Sequence, residues 1–301
     1  VPRTRSHRNA PRLGRLGDVS RFSNSVSLVK SSWHVLSQDK ELIALPAISG
    51  VVTAIAMIPF AAGAFLAGVS TTGNETQVSP IGYVLAFLGY LVAAYVTIFF
   101  QSALILAANE RLSGGAPTLG SAIAAAAGRA GHILPWAIIS ATVSMVLRAI
   151  QERSGIIGRI VVGLVGMAWT LVTFLVLPIL VIEGTGVKEA LTRSASTFKR
   201  TWGENVIGNA GVGLVGFIGI LLGLVVCGPI VAIGISSDVA AMTIGGIVAF
   251  VLWTIAVSVF SAALSGVFQT ALYRFAVLGE EPAGFTHDQI AGAFVPRTSR
   301  F

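Results

Sequence analysis

The chain has 301 residues, of which 54% are apolar and 11% are charged, and its mean hydropathy is +0.83. Soluble domains carry about 25% charged residues, so this composition excludes an ordinary water-soluble domain. Twenty Lys and Arg against thirteen Asp and Glu give a formal net charge of +7, and eight of the basic residues precede residue 41. This clustering is typical of a membrane-topology signal rather than a nucleic-acid-binding face, and no nucleic-acid partner is expected.

The N-terminal segment, residues 1–25, is predicted to be a disordered basic tail. Its arginines lie among Pro, Gly, Ser and Asn, with too little apolar side chain to form a core. No cleavable signal peptide is expected, because the segment lacks the apolar run that such a signal needs. The tail either enforces a cytoplasmic orientation or clamps anionic lipid headgroups, each basic residue contributing about 1 kcal/mol near an anionic surface.

Six long apolar intervals predict six membrane-spanning helices within a membrane domain at residues 26–278. A helix needs about 20 apolar residues to cross a hydrocarbon core of about 30 Å. The intervals are apolar on every face and much longer than the strands of outer-membrane barrels, which favours helices over strands. The third interval is the shortest and crosses if His132 and Arg148 reach opposite interfaces. The predicted spans are residues 43–68, 81–108, 131–150, 159–182, 205–234 and 240–273.

Orientation follows from the positions of the basic residues. With a cytoplasmic N-terminus and six crossings, the outer side receives only Arg148, Arg153 and Arg159, and the loop at 69–79 contains no Lys or Arg. The positive-inside rule therefore predicts that both termini are cytoplasmic. Residues 279–301 are then expected to form a polar cytoplasmic tail.

The spans form three pairs, and each pair is preceded by a stretch that is predicted to lie on the inner leaflet. These stretches are residues 26–42, 119–129 and 187–202. The fold class is thus an all-α polytopic helical bundle, and the recurring order indicates three hairpins, each preceded by an interfacial amphipathic helix. The alternative is that any inward-facing loop carries such a helix without a true repeat.

The stretch at residues 177–211 carries the candidate site, because a charged helix lies there between two charge-free spans. On that helix we expect Val187, Leu191 and Phe198 to face lipid, and Lys188 and Lys199 to face water. The charged and aromatic residues of the stretch predict a cytoplasmic structural network or a lipid-headgroup site. This network comprises Glu183, Lys188, Arg193, Lys199, Arg200, Trp202 and Glu204.

Within the spans, small and polar residues predict helix packing. Gly219 and Gly223 form a GxxxG pair, which is typical of close contact with a neighbouring helix. Gln101 and Gln269 either join helices by hydrogen bonds or line a polar path, and the former is favoured because such bonds are common in bundles.

No catalytic, cofactor or metal site is expected. The four histidines are scattered without metal-ligand spacing, and Cys227 has no partner cysteine. The Ser196–Lys199 match to an SxxK motif lacks its companion motifs, and the GxGxxG match at 211–216 lies inside an apolar span. Because the carboxylates lie at predicted span ends, the pattern also argues against a proton-driven pump.

Several short motifs together resemble an uncharacterised family of six-span prokaryotic membrane proteins, a domain of unknown function (6159-like). They are Glu183-Gly184, the helix at 187–200 and Trp202-Gly203-Glu204, joined by Asp39-Lys40-Glu41 and Asn109-Glu110-Arg111. The similarity covers residues 27 to about 279. A looser similarity links the chain to the membrane domain that precedes some glycerophosphodiester phosphodiesterases. The resemblance implies a fold and a location in the prokaryotic cytoplasmic membrane but brings no activity or catalytic residues.

These observations favour a non-enzymatic scaffold or accessory subunit of a membrane complex. Its expected partners are the lipid bilayer, anionic lipid headgroups and other membrane protein subunits. The alternative is a transporter or a lipid-handling protein, which the prolines and polar residues within the spans would serve. A continuous polar cavity would favour that alternative, and a tightly packed bundle would count against it.

Overall fold

The computed structural model describes residues 30–37, 39–67, 69–72, 75–202 and 211–280, and this part of the chain is almost entirely helical. Six helical segments are long and apolar enough to cross a membrane: Glu41–Leu66, Pro80–Leu112, Ala130–Arg153, Ile156–Glu183, Gly216–Ser236 and Ala240–Leu278. The predicted all-α polytopic bundle is confirmed.

Helical residues 30–37 form α1, and the other helices are α2 (Lys40–Ala67), α3 (Pro80–Leu112), α4 (Leu119–Gly128), α5 (Ala130–Arg153), α6 (Ile156–Thr173), α7 (Val176–Glu183), α8 (Val187–Trp202), α9 (Gly211–Ser236) and α10 (Ala240–Tyr273), which ends in a π-helical turn, Arg274–Leu278.

The spans pair in chain order into three hairpins. Helices α2 and α3 form the first, α5 with α6 and α7 the second, and α9 with α10 the third. The short helices α1, α4 and α8 each precede one hairpin, as the recurring sequence order predicted. Helix α4 begins with a capping box in which Thr118 and Ser121 bond each other's backbone N–H groups, so its start is encoded locally.

The connection between α2 and α3 is a short β-hairpin, where the sequence indicated only a loop. Strand β1 (Val69–Thr72) pairs antiparallel with β2 (Glu75–Val78), with Val69 opposite Val78. Val and Thr favour extended backbone, and two antiparallel helices bring the two ends of the connection together. Helix α3 then begins with Pro80 at its first turn, and the Ser79 hydroxyl accepts the Gly82 N–H at 3.1 Å.

The hydrophobic core lies at one end of the bundle, which we call the α8 end. This end carries α4 and α8 together with the last residues of α3, α7 and α10. Leu104, Ile105, Ile179, Leu180 and Leu272 are at most 2% exposed there. At the opposite end large apolar side chains are exposed, and α6 contains no buried residue. Exposed apolar side chains over the length of a span are suited to contact with lipid.

Helix α1 packs against this core rather than lying apart from it. Leu36 is fully buried, and the Trp33 ring centroid lies 5.2 Å from that of Phe260 in α10. Helix α1 is therefore held by the third hairpin.

The fourth span is broken, although the sequence predicted one continuous helix at 159–182. Helix α6 ends at Thr173 and α7 begins at Val176. Pro178 explains the position of the break, because it has no N–H to bond the carbonyl of Phe174 four residues earlier and its ring crowds that carbonyl. The break lies within the apolar segment, so its backbone groups need partners from other helices.

Candidate functional site

At the α8 end, a carboxylate joins three helices. Glu183 is the last residue of α7, and its Oε2 accepts a hydrogen bond and ion pair from the Arg193 guanidinium of α8. Its Oε1 accepts the Tyr273 hydroxyl of α10 at 2.9 Å. Both oxygens of the carboxylate are thereby used in joining helices. We call Glu183, Arg193 and Tyr273 the Glu183 cluster.

The turn after Glu183 lets α8 fold back toward α7. Gly184 has φ 70°, in the left-handed region that ends many helices and that glycine adopts at least cost. The Arg129 guanidinium lies directly against this glycine, so that a β-carbon at position 184 would overlap it. The left-handed backbone therefore calls for glycine at this position, and a β-carbon there would displace the flexible end of the Arg129 side chain.

A second group of polar contacts joins the ends of α3 and α10. The Arg274 guanidinium donates to Asn109 Oδ1 at 2.9 Å and to Ser113 Oγ at 2.6 Å, and it pairs with Glu280 at 2.6 Å. The Arg274 side chain is 13% exposed. Its charge is thus held between two helix ends rather than presented to solvent.

The start of α2 is tied to the same end by two carboxylates. Asp39 pairs with Arg111 of α3 at 3.0 Å, and both side chains are partly buried. The Glu41 carboxylate accepts the backbone N–H of Leu119 at the start of α4, where an anionic acceptor is favoured by the helix dipole. The α8 end is therefore crossed by charged contacts between elements.

The seven predicted network residues divide into three groups. Glu183 and Arg193 are brought together in the Glu183 cluster. Lys188 and Lys199 are exposed on α8. The side chains of Arg200 and Trp202, and all of Glu204, lie outside the described residues.

Sequence reasoning missed the distant partners in this network. Tyr273 is 90 residues from Glu183, and no local pattern pairs them. The sequence did carry one signal, because all of these polar residues lie at span ends on the same predicted side of the membrane. They were therefore candidates for contact with one another at that side. These residues are Asp39, Asn109, Arg111, Tyr273 and Arg274.

The buried face of α8 differs from the predicted one. Ala190 is fully buried, Ser194 is 1% exposed and Thr197 is 9% exposed. Val187 and Leu191 pack against the protein core rather than facing lipid, which corrects their assignment. Small side chains allow α8 to approach α6 and α7 closely, and a pattern based on hydrophobicity places Ser and Thr in water.

A second polar cluster surrounds the break in span four. The Gln269 amide of α10 donates to the Phe174 carbonyl, and the Gln101 amide of α3 donates to Gln269 Oε1 at 3.4 Å. Ser194 of α8 accepts the Leu175 N–H at 3.3 Å, and its hydroxyl donates to a carbonyl of α6. We call Gln101, Gln269 and Ser194 the break cluster. It joins helices, the role favoured for the two glutamines.

The glycine pair of α9 lies against α10. A β-carbon at Gly219 would meet the Val257 side chain, and one at Gly223 would overlap the Trp253 ring. The Trp253 indole N–H also donates to the Gly219 carbonyl at 2.8 Å. The two glycines thus make room for α10, with one hydrogen bond across the contact.

In the part of the chain that the structure describes, no three His, Cys, Asp or Glu residues are grouped to hold a metal ion. Two small pockets lie between these helices. One is lined by Phe174, Leu175, Ser194, Thr197 and Phe198, among others, and holds about 10 Å³ of free space, on the order of one water molecule. The other lies between α2, α3 and α4 beside Glu41.

Comparison with known proteins gave one family match. The model described as "Family of unknown function (DUF6159)" matches residues 80–285. This region begins with α3 and contains the Glu183 cluster, the break cluster and the glycine pair. Neither the curated proteins nor the solved structures matched this chain, so the looser phosphodiesterase resemblance gains no support.

Proposed function

Since the chain belongs to the family of unknown function DUF6159, which supplies no activity, we propose from geometry that it is a non-enzymatic scaffold or accessory subunit of a membrane complex. One observation carries the proposal: the partly buried charged side chains of the α8 end, Glu183, Arg193 and Arg274 among them, join helices to one another. Glu183 has both oxygens engaged, and Arg274 bridges α3 to the chain after α10. Such contacts stabilise a defined surface rather than leave reactive groups converging on a cavity.

The proposed location is the prokaryotic cytoplasmic membrane, with the α8 end and both termini on the cytoplasmic side. The support is the distribution of basic residues in the sequence. Lys188 and Lys199 are exposed on α8, where ammonium groups beside an inner leaflet attract anionic headgroups. Anionic lipid and further membrane subunits are therefore the proposed partners.

Mild-detergent purification followed by lipid and protein analysis tests this proposal. We expect the wild-type protein to retain anionic lipid or a membrane subunit, and the Lys188→Gln, Lys199→Gln double variant to retain less anionic lipid. The matched control is Arg153→Gln, Arg159→Gln, which removes two exposed charges at the opposite end. Equal loss of anionic lipid in both variants would contradict the proposal that α8 binds anionic headgroups. A robust substrate-dependent turnover or flux by the protein reconstituted alone would contradict the scaffold function.

Lipid handling is the second candidate, and the exposed apolar surface at the opposite end favours it. All 18 residues of α6 are at least partly exposed, which gives lipid chains access to much of the helix. Transfer of a fluorescent phospholipid between vesicles measures this activity directly. Accelerated transfer by the reconstituted protein would support lipid handling over the scaffold, and an unchanged rate would count against it.

A further inference from the structure

The break in span four divides a held segment from an exposed one. Helix α7 is buried from Val176 to Val181, whereas α6 has no buried residue. The Glu183 cluster also ties the end of α7 to α8 and α10. Trp169 of α6 stacks on Trp136 of α5, with ring centroids 6.2 Å apart. Any change of angle at the break would therefore move α6 against α5 while α7 stays with the core.

Gln269 supplies the donor that Pro178 lacks. In a regular helix the N–H of residue 178 would bond the Phe174 carbonyl, and proline has no such group. The Gln269 amide donates to that carbonyl instead, and Gln269 is 6% exposed. An unpaired carbonyl in this environment would be costly, so Gln269 stabilises the broken form of the span.

Ser194 links α8 to both sides of the break. Its hydroxyl oxygen accepts the Leu175 N–H at 3.3 Å and its O–H donates to the Val172 carbonyl at 2.5 Å. Ser194 is 1% exposed. A single side chain on α8 thus bonds a backbone group of α6 and one of the residues that separate α6 from α7.

We propose that residues 173–175 form a hinge and that α8 sets the angle of α6 through Ser194. Pro178 determines where the span breaks. Gln269 of α10 donates to the Phe174 carbonyl that the break leaves without its helical partner, and Ser194 of α8 fixes the direction of α6. Displacement of α8 at its own end of the bundle therefore moves α6 at the opposite end. The device is independent of the proposed function, because it rests on the geometry of the break.

Electron-spin distance measurement between α6 and α2 tests the hinge. Spin labels replace Ile157 and Phe65, which are 79% and 83% exposed near the opposite end, in a Cys227→Ala background. We expect Ser194→Ala to shift and broaden the distance distribution of the wild-type protein. The matched control is Thr192→Ala, because the Thr192 hydroxyl bonds only the Lys188 carbonyl of its own helix. A distribution that is the same in both variants would overturn the proposal.

A double-mutant cycle tests the role of Gln269 separately and remains informative if the Ser194 variant is poorly folded. Pro178→Ala restores an N–H that can bond the Phe174 carbonyl, which makes the Gln269 amide redundant. We expect Gln269→Leu to lower the melting temperature substantially in the wild-type background and much less in the Pro178→Ala background. Equal losses in the two backgrounds would show that the two residues act independently and would overturn the assignment of Gln269.

Discussion

At the scale of single residues, Glu183 shows how one carboxylate can organise a layer of helices. Arg193 lies ten residues away on the next helix, so the sequence allowed this pair to be placed in one network. Tyr273 comes from the far end of α10, and its pairing depends on how the third hairpin packs. Local sequence therefore places Glu183 and Arg193 in one network, whereas the third partner requires the tertiary fold.

Replacing Glu183 with Gln tests this cluster. The variant keeps the shape of the side chain but leaves Arg193, whose side chain is 39% exposed, without its counter-charge. We expect a loss of about 1–2 kcal/mol in stability, below the cost of breaking a fully buried pair, measured by thermal unfolding in detergent. Glu152→Gln is the control, because its pair with Arg148 is exposed and is worth at most about 0.5 kcal/mol. Equal losses would contradict a structural role for Glu183.

Gly184 carries a second prediction at this scale. Gly184→Ala combines a left-handed backbone with an overlap against Arg129, and we expect a loss of about 1–3 kcal/mol. Gly186→Ala is the control, because a β-carbon there meets nothing within 4 Å. Thermal unfolding of both variants and of the double variant with Arg129→Ala separates the causes. The stability that the double variant recovers measures the contribution of the overlap with Arg129. A Gly184→Ala variant as stable as the wild-type protein would contradict both the backbone and the steric cause.

At the scale of elements, the helices themselves could be predicted and their contact faces only in part. Long apolar intervals predict α3 and α10 because length and hydropathy suffice. The inward face of α8 was missed because Ser194 and Thr197 are polar residues that bond or pack inside the protein. The break before Pro178 was missed because proline is tolerated in other spans: Pro46, Pro59, Pro135 and Pro229 all lie within continuous helices.

The contact between α9 and α10 gives a prediction for elements. Gly223→Ala would place a methyl group in the Trp253 ring, so we expect weaker packing and a lower melting temperature. Gly245→Ala on the partner helix α10 is the control, because a β-carbon there meets nothing within 4 Å. That control should be neutral or stabilising by up to about 1 kcal/mol, because alanine favours helix. A Gly223→Ala variant as stable as Gly245→Ala would contradict close packing at this pair.

At the scale of the whole molecule, the hairpin order and the basic-residue distribution predict the same arrangement, a bundle of three hairpins whose short helices lie on one side of the membrane. Three hairpins, each preceded by a short helix, could be predicted because each unit repeats the same succession of polar and apolar segments. The concentration of the core at the α8 end could not be predicted, because hydropathy does not distinguish apolar residues that contact protein from those that contact lipid.

The proposed scaffold function places the α8 end on the cytoplasmic side, and cysteine labelling measures this orientation directly. In a Cys227→Ala background, intact cells that express Arg153→Cys or Lys188→Cys are treated with a membrane-impermeant maleimide; both positions are exposed. We predict that position 153 is labelled in intact cells and that position 188 is labelled only after permeabilisation. Labelling of position 188 in intact cells, or protection of position 153, would contradict the orientation.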